Sequence, residues 1–326
     1  MIAASAGGVE ALRVLLGALP ADLPAAVLVA PHLPPQGGGV LAEILDRAGP
    51  LKAATAEDMQ PLRHGHVYVA RPGHHLLAHD GRARLSRGPR HNGHRPAADL
   101  LFESAALDAA ERVAAVVLSG TLDDGARGCV AVDRRGGAVA VQDPEEAAFP
   151  GMPEAAAAAV PNAPALRVPE LADWLARQSR TPVITEGKVD DPETALDVER
   201  FLGEKAGVEE PVGRLVELSC PECGGPMYEQ RHESRLSRFV CRVGHAWSAE
   251  GLVGAQTDAV ERALWIAVQR LEERVRILSR MDRPHGGIHY SRAYLREEAE
   301  RTREALETIR RVQAGIGQGD DGLLLS

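Results

Sequence analysis

The chain has 326 residues, a formal net charge of −9 and 44% hydrophobic residues. This acidic balance argues against a general nucleic-acid binder, because non-specific binding to phosphates relies on a cationic surface. No apolar run approaches the roughly 20 residues that a membrane span needs, and the N-terminus lacks a basic and then apolar leader. The sequence therefore predicts a soluble, cytoplasmic protein of two or three domains that neither binds nucleic acid nor is embedded in a membrane.

Short apolar runs in the first half of the chain predict buried parallel strands. They cover residues 1–4, 25–30 and 113–120 and are closed by Gly, Pro or small polar residues. Residues 9–19 and 39–49 lie between them, with Leu and Val at the three- and four-residue spacing of helices. The pattern predicts an α/β fold with a doubly wound, mainly parallel sheet.

A polar residue follows each of the three strands. Ser5, His32 and Asp124 all fall where a predicted strand ends. In open parallel sheets, ligands bind at the carboxyl edge of the strands, so these side chains are expected to converge. A serine needs a nearby base to act as a nucleophile, and the base needs a group that orients it. The three residues therefore indicate an esterase or amidase.

Each residue also has a plainer interpretation. Ser5 stands in S-A-G-G before a helix and can simply be the helix N-cap. His32 is one of 12 histidines, most of which need no special role. Asp123 is a competing carboxylate beside Asp124, and either can cap the following turn. Position relative to the strands does not choose between the two aspartates.

Several motifs along the first 175 residues give a more specific signal. In order, they are SAGGVEAL (5–12), APHLPP (30–35), GHVYVARPGHHLL (65–77), HNGHRPAADLLFESAA (91–106), LSGTLDDGARG (118–128) and AVAVQDPEEAAFPGMPEAA (138–156). Their order and spacing resemble those of the CheB-type catalytic domain, the chemotaxis receptor methylesterase family.

The resemblance implies a role for each of the three polar residues. By its pattern, Ser5 is the nucleophile, His32 the general base, and Asp124 the carboxylate that orients His32. The implied reaction is hydrolysis of glutamyl γ-methyl esters with release of methanol, often with deamidation of the matching glutamines, and it uses no cofactor. The implied partner is a methyl-accepting chemoreceptor or a related helical signalling protein.

The same resemblance indicates where the developing oxyanion binds. Backbone N–H groups near Thr121 and in the turn of Ala6 and Gly7 are the candidate donors. The family usually has Thr at the position of Ala6, and Met-Gly where this chain has Thr121 and Leu122. It also commonly has a longer first strand and a preceding receiver domain, so regulation is expected to come from elsewhere.

His94 and Arg95, in N-G-H-R-P, match a family segment near the edge of the active site. They are predicted to contact the substrate. The plainer alternative is a loop tied to a helix start, with Asn92 as a turn residue.

A different kind of site follows in the C-terminal half. Cys220, Cys223, Cys241 and His245 have the spacing Cys-x2-Cys-x17-Cys-x3-His, which is typical of a tetrahedral zinc site carried on two short hairpins. Four protein ligands predict a structural zinc, not a catalytic one. A disulfide is disfavoured in a cytoplasmic protein. Cys129 lies outside the motif, in an apolar segment, and is expected to be a buried thiol.

The remaining segments are predicted from composition and periodicity. The acidic stretch 180–213 indicates a linker with one short helix around 193–205, although a helix packed on the esterase domain explains its apolar face equally well. Apolar residues at helical spacing over 253–281 and 291–312 predict an antiparallel helical hairpin. Its apolar stripe is expected to pack on the zinc module, on a second copy in a homo-oligomer, or on a helical substrate.

The predicted organisation has five segments. They are an esterase domain (1–178), a linker (179–214), a zinc-binding module (215–250), a helical hairpin (251–316) and a flexible tail (317–326).

Two hypotheses from different classes follow. The first is a protein-glutamate methylesterase that acts through Ser5, His32 and Asp124. The second is a weakly catalytic or non-catalytic signalling adaptor that binds receptor or partner helices through its C-terminal module. A nucleotide-binding α/β domain is a weaker third option, because S-A-G-G lacks the G-x-G-x-x-G spacing and the chain has no Walker lysine.

Overall fold

The computed structural model describes residues 1–32, 40–183, 192–203, 211, 213–231, 237–281 and 291–316. The strands are β1 (Ile2–Ala4), β2 (Val27–Pro31), β3 (Lys52–Thr55), β4 (Gln60–Pro61), β5 (His66–Val69), β6 (His75–His79), β7 (Arg82–Ser86), β8 (Ala114–Val117), β9 (Ala138–Gln142), β10 (Ala165–Leu166), β11 (Arg214–Ser219), β12 (Pro226–Arg231), β13 (Ser237–Cys241) and β14 (Ala246–Ser248). The helices are α1 (Gly8–Ala18), α2 (Val40–Ala48), α3 (Ala98–Ala109), α4 (Ala126–Arg134), α5 (Gly151–Ala159), α6 (Val168–Gln178), α7 (Pro192–Leu202), α8 (Ala249–Met281) and α9 (Arg292–Ile316), with a 3-10 turn at Ala110–Arg112.

A seven-stranded sheet, in the order β10-β9-β8-β1-β2-β5-β3, forms the centre of the N-terminal part, and its neighbouring strands pair in parallel. After β1, the chain adds β2, β3 and β5 on one side of β1. It later adds β8, β9 and β10 on the other side. The connections of β1 therefore diverge from those of β8 at their shared boundary. Such a change of direction leaves a crevice at the carboxyl ends of the strands.

Both faces of this sheet are covered by helices, which explains the uninterrupted apolar character of its strands. One apolar cluster packs α1, α2 and α6 on one face, with Leu12, Leu15 and Leu16 of α1 fully or almost fully buried. A second cluster packs α3, α4 and α5 on the other face around Phe102, which is completely buried. The predicted α/β class with a doubly wound parallel sheet is confirmed.

The strands and helices predicted from periodicity appear with small shifts at their ends. The three predicted strands correspond to β1, β2 and β8, and the two predicted helices to α1 and α2. The rigid turn expected directly after His32 falls on residues 33–39, outside the described residues.

The acidic stretch after the sheet contains α7, and this helix packs on the preceding domain. Val198 and Leu202 are buried against Leu77 and Leu100. The ring of Phe201 meets two buried histidine rings edge-on. This part of the predicted linker therefore follows the packed-helix alternative, while residues 184–191, 204–210 and 212 lie outside the described residues.

An antiparallel sheet in the order β11-β12-β13-β14 follows, and we call residues 213–248 the Cys3His module. The turn between β11 and β12 carries Cys220 and Cys223, whereas Cys241 ends β13 and His245 lies in the turn before β14. These are two hairpins, each bringing a pair of potential ligands.

The described chain divides into two compact units, Met1–Leu252 and Val253–Ser326. In the second unit, Val268 of α8 and Leu295 and Ala299 of α9 are buried. Arg274 and Arg310 form ion pairs with glutamates on the facing helix. The predicted tail, 317–326, lies outside the described residues, and the predicted segment boundaries remain predictions. None of the described helices is long and apolar enough to cross a membrane.

Truncating Phe102 tests the packing of α3 against α4. A Cβ added at Gly128 of α4 would come within 2.6 Å of Phe102 Cβ, so the two helices are in close contact there. We expect Phe102→Ala to lower the free energy of unfolding by about 3–5 kcal/mol in denaturant titrations. Phe149→Ala is the matched control, because the Phe149 side chain is 43% exposed and its loss should cost less than about 1 kcal/mol. Similar losses for the two variants would contradict this account of the core.

Candidate active site

Ser5, His32 and Asp124 lie at the carboxyl ends of three adjacent strands. Ser5 follows β1, His32 follows β2, and Asp124 stands in the loop after β8, with β1 in the middle of the three strands. The backbone fixes the first two positions, because Ser5 N donates to Ser119 O at 2.9 Å and His32 N donates to Ala4 O at 2.8 Å. The three residues thus project from one edge of the sheet, at the crevice between β1 and β8.

Their side chains form one hydrogen-bonded chain. His32 Nδ1 lies 3.1 Å from Ser5 Oγ, and His32 Nε2 lies 2.6 Å from Asp124 Oδ2. A carboxylate accepts, so the neutral ring carries its proton on Nε2 and leaves Nδ1 free to accept from the serine hydroxyl. This arrangement can remove a proton from Ser5 and stabilise the imidazolium that results. The catalytic roles of the three residues remain a prediction.

The Asp124 carboxylate also lies at the N-terminus of α3. Its Oδ2 accepts from Ala98 N at 2.7 Å, and its Oδ1 accepts from Asp99 N at 3.1 Å. Burial raises the pKa of Asp124, but the hydrogen bond and the charge interaction with His32, together with the hydrogen bond from Ala98, outweigh burial and leave that pKa below its usual value. The carboxylate therefore stays ionised while its side chain is 2% exposed.

The structure separates the two neighbouring aspartates. Asp124 faces His32, whereas Asp123 Oδ1 accepts a hydrogen bond from Ser248 Oγ at 2.7 Å. Burial raises the pKa of Asp123 to about 6, although the hydrogen bond from Ser248 lowers it. The open choice between the two carboxylates is thus resolved geometrically, in favour of Asp124 as the partner of His32.

The turn that carries Ser5 is tightly enclosed. Gly7 has φ +72°, and a Cβ there would lie 2.7 Å from Ala148 Cβ, so only glycine fits without strain. A Cβ on Gly120 would lie 2.8 Å from Ser5 Cβ, which shows how closely the loop after β8 approaches the nucleophile. Of the predicted oxyanion donors, Ala6 and Gly7 belong to this turn, and Thr121 follows Gly120 and is exposed.

His94 stacks on His32, with 3.8 Å between ring centroids and 10° between ring planes. Burial, and then the neighbouring His32, lower the pKa of His94 to about 4, so its imidazole is neutral at pH 7. The substrate contact predicted for His94 stays a prediction. The stacked ring of His94 covers one face of the His32 ring and restrains the orientation of its plane.

The Arg95 guanidinium hydrogen-bonds to backbone carbonyl groups at the start of the loop that precedes α3. Its Nη1 donates to Arg87 O and Gly88 O, each at 2.8 Å. Burial lowers the pKa of Arg95. Asn92 is a turn residue with φ +48°, as the plainer alternative for this segment expected. The substrate contact predicted for Arg95 stays a prediction.

Sequence reasoning missed the residues that support the site. Ser119 Oγ donates to Ala6 O at 2.7 Å and accepts from Phe149 N at 3.0 Å, so it braces the Ser5 turn. Asp99 Oδ1 accepts from Gly125 N at 2.9 Å and Gly128 N at 2.8 Å, which fixes the loop after Asp124. The only available signal was their place beside strand ends or helix starts, where many Ser and Asp residues merely cap.

The four predicted metal ligands lie together. Their ligand atoms are all within 4.8 Å of one another. Cys223 Sγ lies 3.6 Å from Cys241 Sγ, and His245 Nδ1 lies 3.7 Å from Cys220 Sγ and 3.5 Å from Cys241 Sγ. Tetrahedral zinc with sulfur ligands at about 2.3 Å separates its donors by roughly 3.8 Å, whereas a disulfide requires about 2.0 Å. The donor set therefore fits a tetrahedral metal ion, and Cys129 lies apart from it as a buried free thiol.

Comparisons with known proteins agree with this geometry. A family model described as CheB methylesterase matches residues 1–175. The protein-glutamate methylesterase/protein-glutamine glutaminase 1 of Xanthomonas campestris pv. campestris is 40% identical over 55% of this chain and 52% of its own length. A protein of the same description, numbered 2, from Pseudomonas aeruginosa is 40% identical over 48% of this chain and 45% of its own length.

Among solved structures, the catalytic domain of the Thermotoga maritima CheB methylesterase is similar, with a TM-score of 0.52 and 30% sequence identity. The match covers 54% of this chain and 95% of that domain. The chain spans about half the length of the curated relatives it matches. The likeness therefore concerns the domain that contains Ser5, His32 and Asp124.

The depressed pKa of His94 predicts a pH dependence of stability. Between the ordinary histidine pKa of about 6.5 and the folded value of about 4, the unfolded chain binds a proton that the folded chain does not. Stability therefore falls as pH falls through this window. We expect His94→Gln to reduce the slope of unfolding free energy against pH by about 1 kcal/mol per unit near pH 5. Denaturant titrations across this range measure the slope, and an unchanged slope would show that His94 is protonated in the folded state.

Proposed function

The chain belongs to the CheB methylesterase family, and we propose that it is a protein-glutamate methylesterase that hydrolyses glutamyl γ-methyl esters on a chemoreceptor or a related helical signalling protein. Two named relatives are described as protein-glutamate methylesterases and protein-glutamine glutaminases, so deamidation of glutamine is included in the proposal. The observation that carries it is the hydrogen-bonded chain from Ser5 Oγ through His32 to Asp124. A cytoplasmic location follows from such a substrate.

The mechanism begins with Ser5. His32 Nδ1 takes the hydroxyl proton while Ser5 Oγ attacks the ester carbonyl, and backbone N–H groups near Gly7 and Thr121 bind the oxyanion. The tetrahedral intermediate expels methoxide, which takes the proton from His32 and leaves as methanol. Water then attacks the acyl-enzyme with His32 as base, which releases the glutamate and restores the Ser5 hydroxyl. Asp124 keeps the ring oriented and stabilises its positive charge throughout.

Ester hydrolysis, and not binding alone, is the function that the site favours. An adaptor that only binds helices has no need of a buried carboxylate, an imidazole and a hydroxyl in sequence. Keeping a buried carboxylate ionised requires several hydrogen bonds, here from His32, Ala98 and Asp99. Such an arrangement has a chemical use in a hydrolase and none in an adaptor.

Removing the nucleophile tests the reaction. With a methylated receptor fragment as substrate, Ser5→Ala should lower the rate of methanol release by at least roughly 10³-fold, because the attacking oxygen is lost. Ser179→Ala serves as the control, since this serine lies at the end of α6, where its hydroxyl donates only to Ala176 O. Equal rates for wild type and Ser5→Ala would eliminate the proposed mechanism.

We also propose that the Cys3His module holds a structural zinc ion through Cys220, Cys223, Cys241 and His245. The distances among these donors fit a tetrahedral ion, and four protein ligands leave no open position for catalysis. The ion would supply the folding energy that so small a module cannot draw from an apolar core.

Metal analysis tests this site. The purified chain should contain about one zinc per molecule, and Cys220→Ser should lose it together with the protease resistance of the module. Cys129→Ala should keep the zinc, because this buried thiol lies outside the cluster. A chain without metal whose module resists protease equally well would refute the proposal.

A further inference from the structure

The Cys3His module lies directly against a loop of the active site. Strand β14 runs beside residues 90–92, where Ala246 N donates to Arg90 O at 3.2 Å and Asn92 N donates to Ala246 O at 2.7 Å. Ser248 N donates to Asn92 Oδ1 at 2.7 Å. The loop that carries His94 is thus bound to the module by backbone hydrogen bonds.

The side chain of Ser248 reaches a second loop. Its Oγ donates to Asp123 Oδ1 at 2.7 Å, so one residue of the module connects the loop before α3 with the loop before α4. These loops approach His32 from two sides. His94, on the first, stacks on the ring, and Asp124, on the second, binds its Nε2. A displacement of Ser248 therefore affects both contacts that orient His32.

The metal cluster is connected to these contacts over short distances. Cys241 N donates to His245 O at 3.0 Å, and His245 immediately precedes the first residue of β14. Glu222, which stands between the first two cysteines, forms an ion pair with Arg90 at 3.3 Å. Both turns that carry the predicted metal ligands therefore touch or adjoin the active-site loop, so ordering of the turns by a metal ion would reach this loop.

We propose that the Cys3His module acts as a clasp on the active site, in which Ser248 is a positioning residue for His32 and metal binding raises esterase activity. This inference rests on the proposed esterase function and adds its regulation. Without the metal, the turns loosen, Ser248 leaves Asp123, and the base loses its alignment with Ser5. A misplacement of a catalytic group by about 1 Å can cost roughly 100-fold in rate.

A matched pair of substitutions isolates the clasp. Ser248 also caps α8, because Gly251 N donates to Ser248 Oγ at 2.9 Å. Asp and Asn are both good N-caps of nearly equal size, so Ser248→Asp and Ser248→Asn preserve the cap. Only Asn can donate to Asp123. The Asp variant opposes it with a like charge at about pH 8, above the pKa of about 6 that Asp123 has in the fold.

The expected results differ within the pair. Ser248→Asp should lower kcat for methyl ester hydrolysis by roughly 10-fold or more and change KM less, since the substitution acts on the alignment of His32. Ser248→Asn should stay within about 3-fold of wild type. The double variant Ser248→Asp/Asp123→Asn should recover most of the loss, because the new amide can donate to the new carboxylate. A Ser248→Asp variant with wild-type kcat, or a double variant without recovery, overturns the proposal.

Zinc removal tests the connection to the metal. Chelation of wild type should lower kcat, and added zinc should restore it. In Ser248→Asp, the same treatment should change kcat little, because two perturbations of one pathway are not additive. Full additivity would mean that metal and Ser248 act separately, which contradicts the clasp.

A readout without substrate separates this inference from the proposed function. The short bond from His32 Nε2 to Asp124 should give a downfield proton resonance in nuclear magnetic resonance spectra. This resonance should weaken on chelation and in Ser248→Asp, but not in Ser248→Asn. If wild type releases no methanol while the resonance responds in this way, the esterase function fails, and the positioning of His32 by the metal and Ser248 stands. If methanol is released and the resonance changes neither on chelation of zinc nor in Ser248→Asp, the clasp alone fails.

Discussion

The hydrogen bond between Asp124 and His32 is the constraint on which the site depends. At 2.6 Å it joins a buried carboxylate to an imidazole, and a buried carboxylate is stable only when hydrogen bonds replace its water. The first amides of α3 supply those bonds, so the start of this helix must lie beside the ends of β2 and β8. The neighbouring Asp99 shows how burial disfavours a charged carboxylate, because burial, and then the charge of Asp124, raise the pKa of Asp99 well above the usual value. The pKa values of these two neighbouring carboxyl groups are thus driven apart, and the one with the lowered pKa faces His32.

The parts of this site that depend on strand order could be predicted from the sequence. Ser5 and His32 each follow a short apolar run, and residues that follow parallel strands meet at one edge regardless of loop detail. The choice of Asp124 over Asp123 could not be made in this way. Adjacent residues in a loop point in different directions, and their directions are set by the turn around Leu122, a non-glycine residue at φ +62°. Only the resemblance to a family distinguished the two, because it carries the geometry of the loop with it, and Asp124 is the one that lies against His32.

The stacking of His94 on His32 also could not be predicted from the pattern of residues in the sequence. The contact joins residues 62 positions apart in a segment without regular structure, so no periodicity records it. The zinc motif is the opposite case. Its ligands come in pairs three and four positions apart in the sequence, and the spacing alone requires the members of each pair to lie close together. The docking of that module on the active-site loops again depends on residues 125 and 156 positions apart.

The proposed metal binding and the docking of the Cys3His module depend on the same small core. Its buried residues are few, Cys220, Met227, Arg238, Val240, Cys241, Ala246 and Trp247 among those described, and two of them are predicted metal ligands. A module this small cannot bury enough apolar surface to fold alone, so the proposed metal ion and the contacts with the neighbouring domain would together supply what the core lacks. Each of these contributions favours the same ordered state of β14. Whatever strengthens one must therefore strengthen the other by the same free energy, because linkage is reciprocal. Under the proposed clasp, a ligand that orders the loops around His32 would also tighten the metal site, and the module and these loops would respond as one cooperative unit.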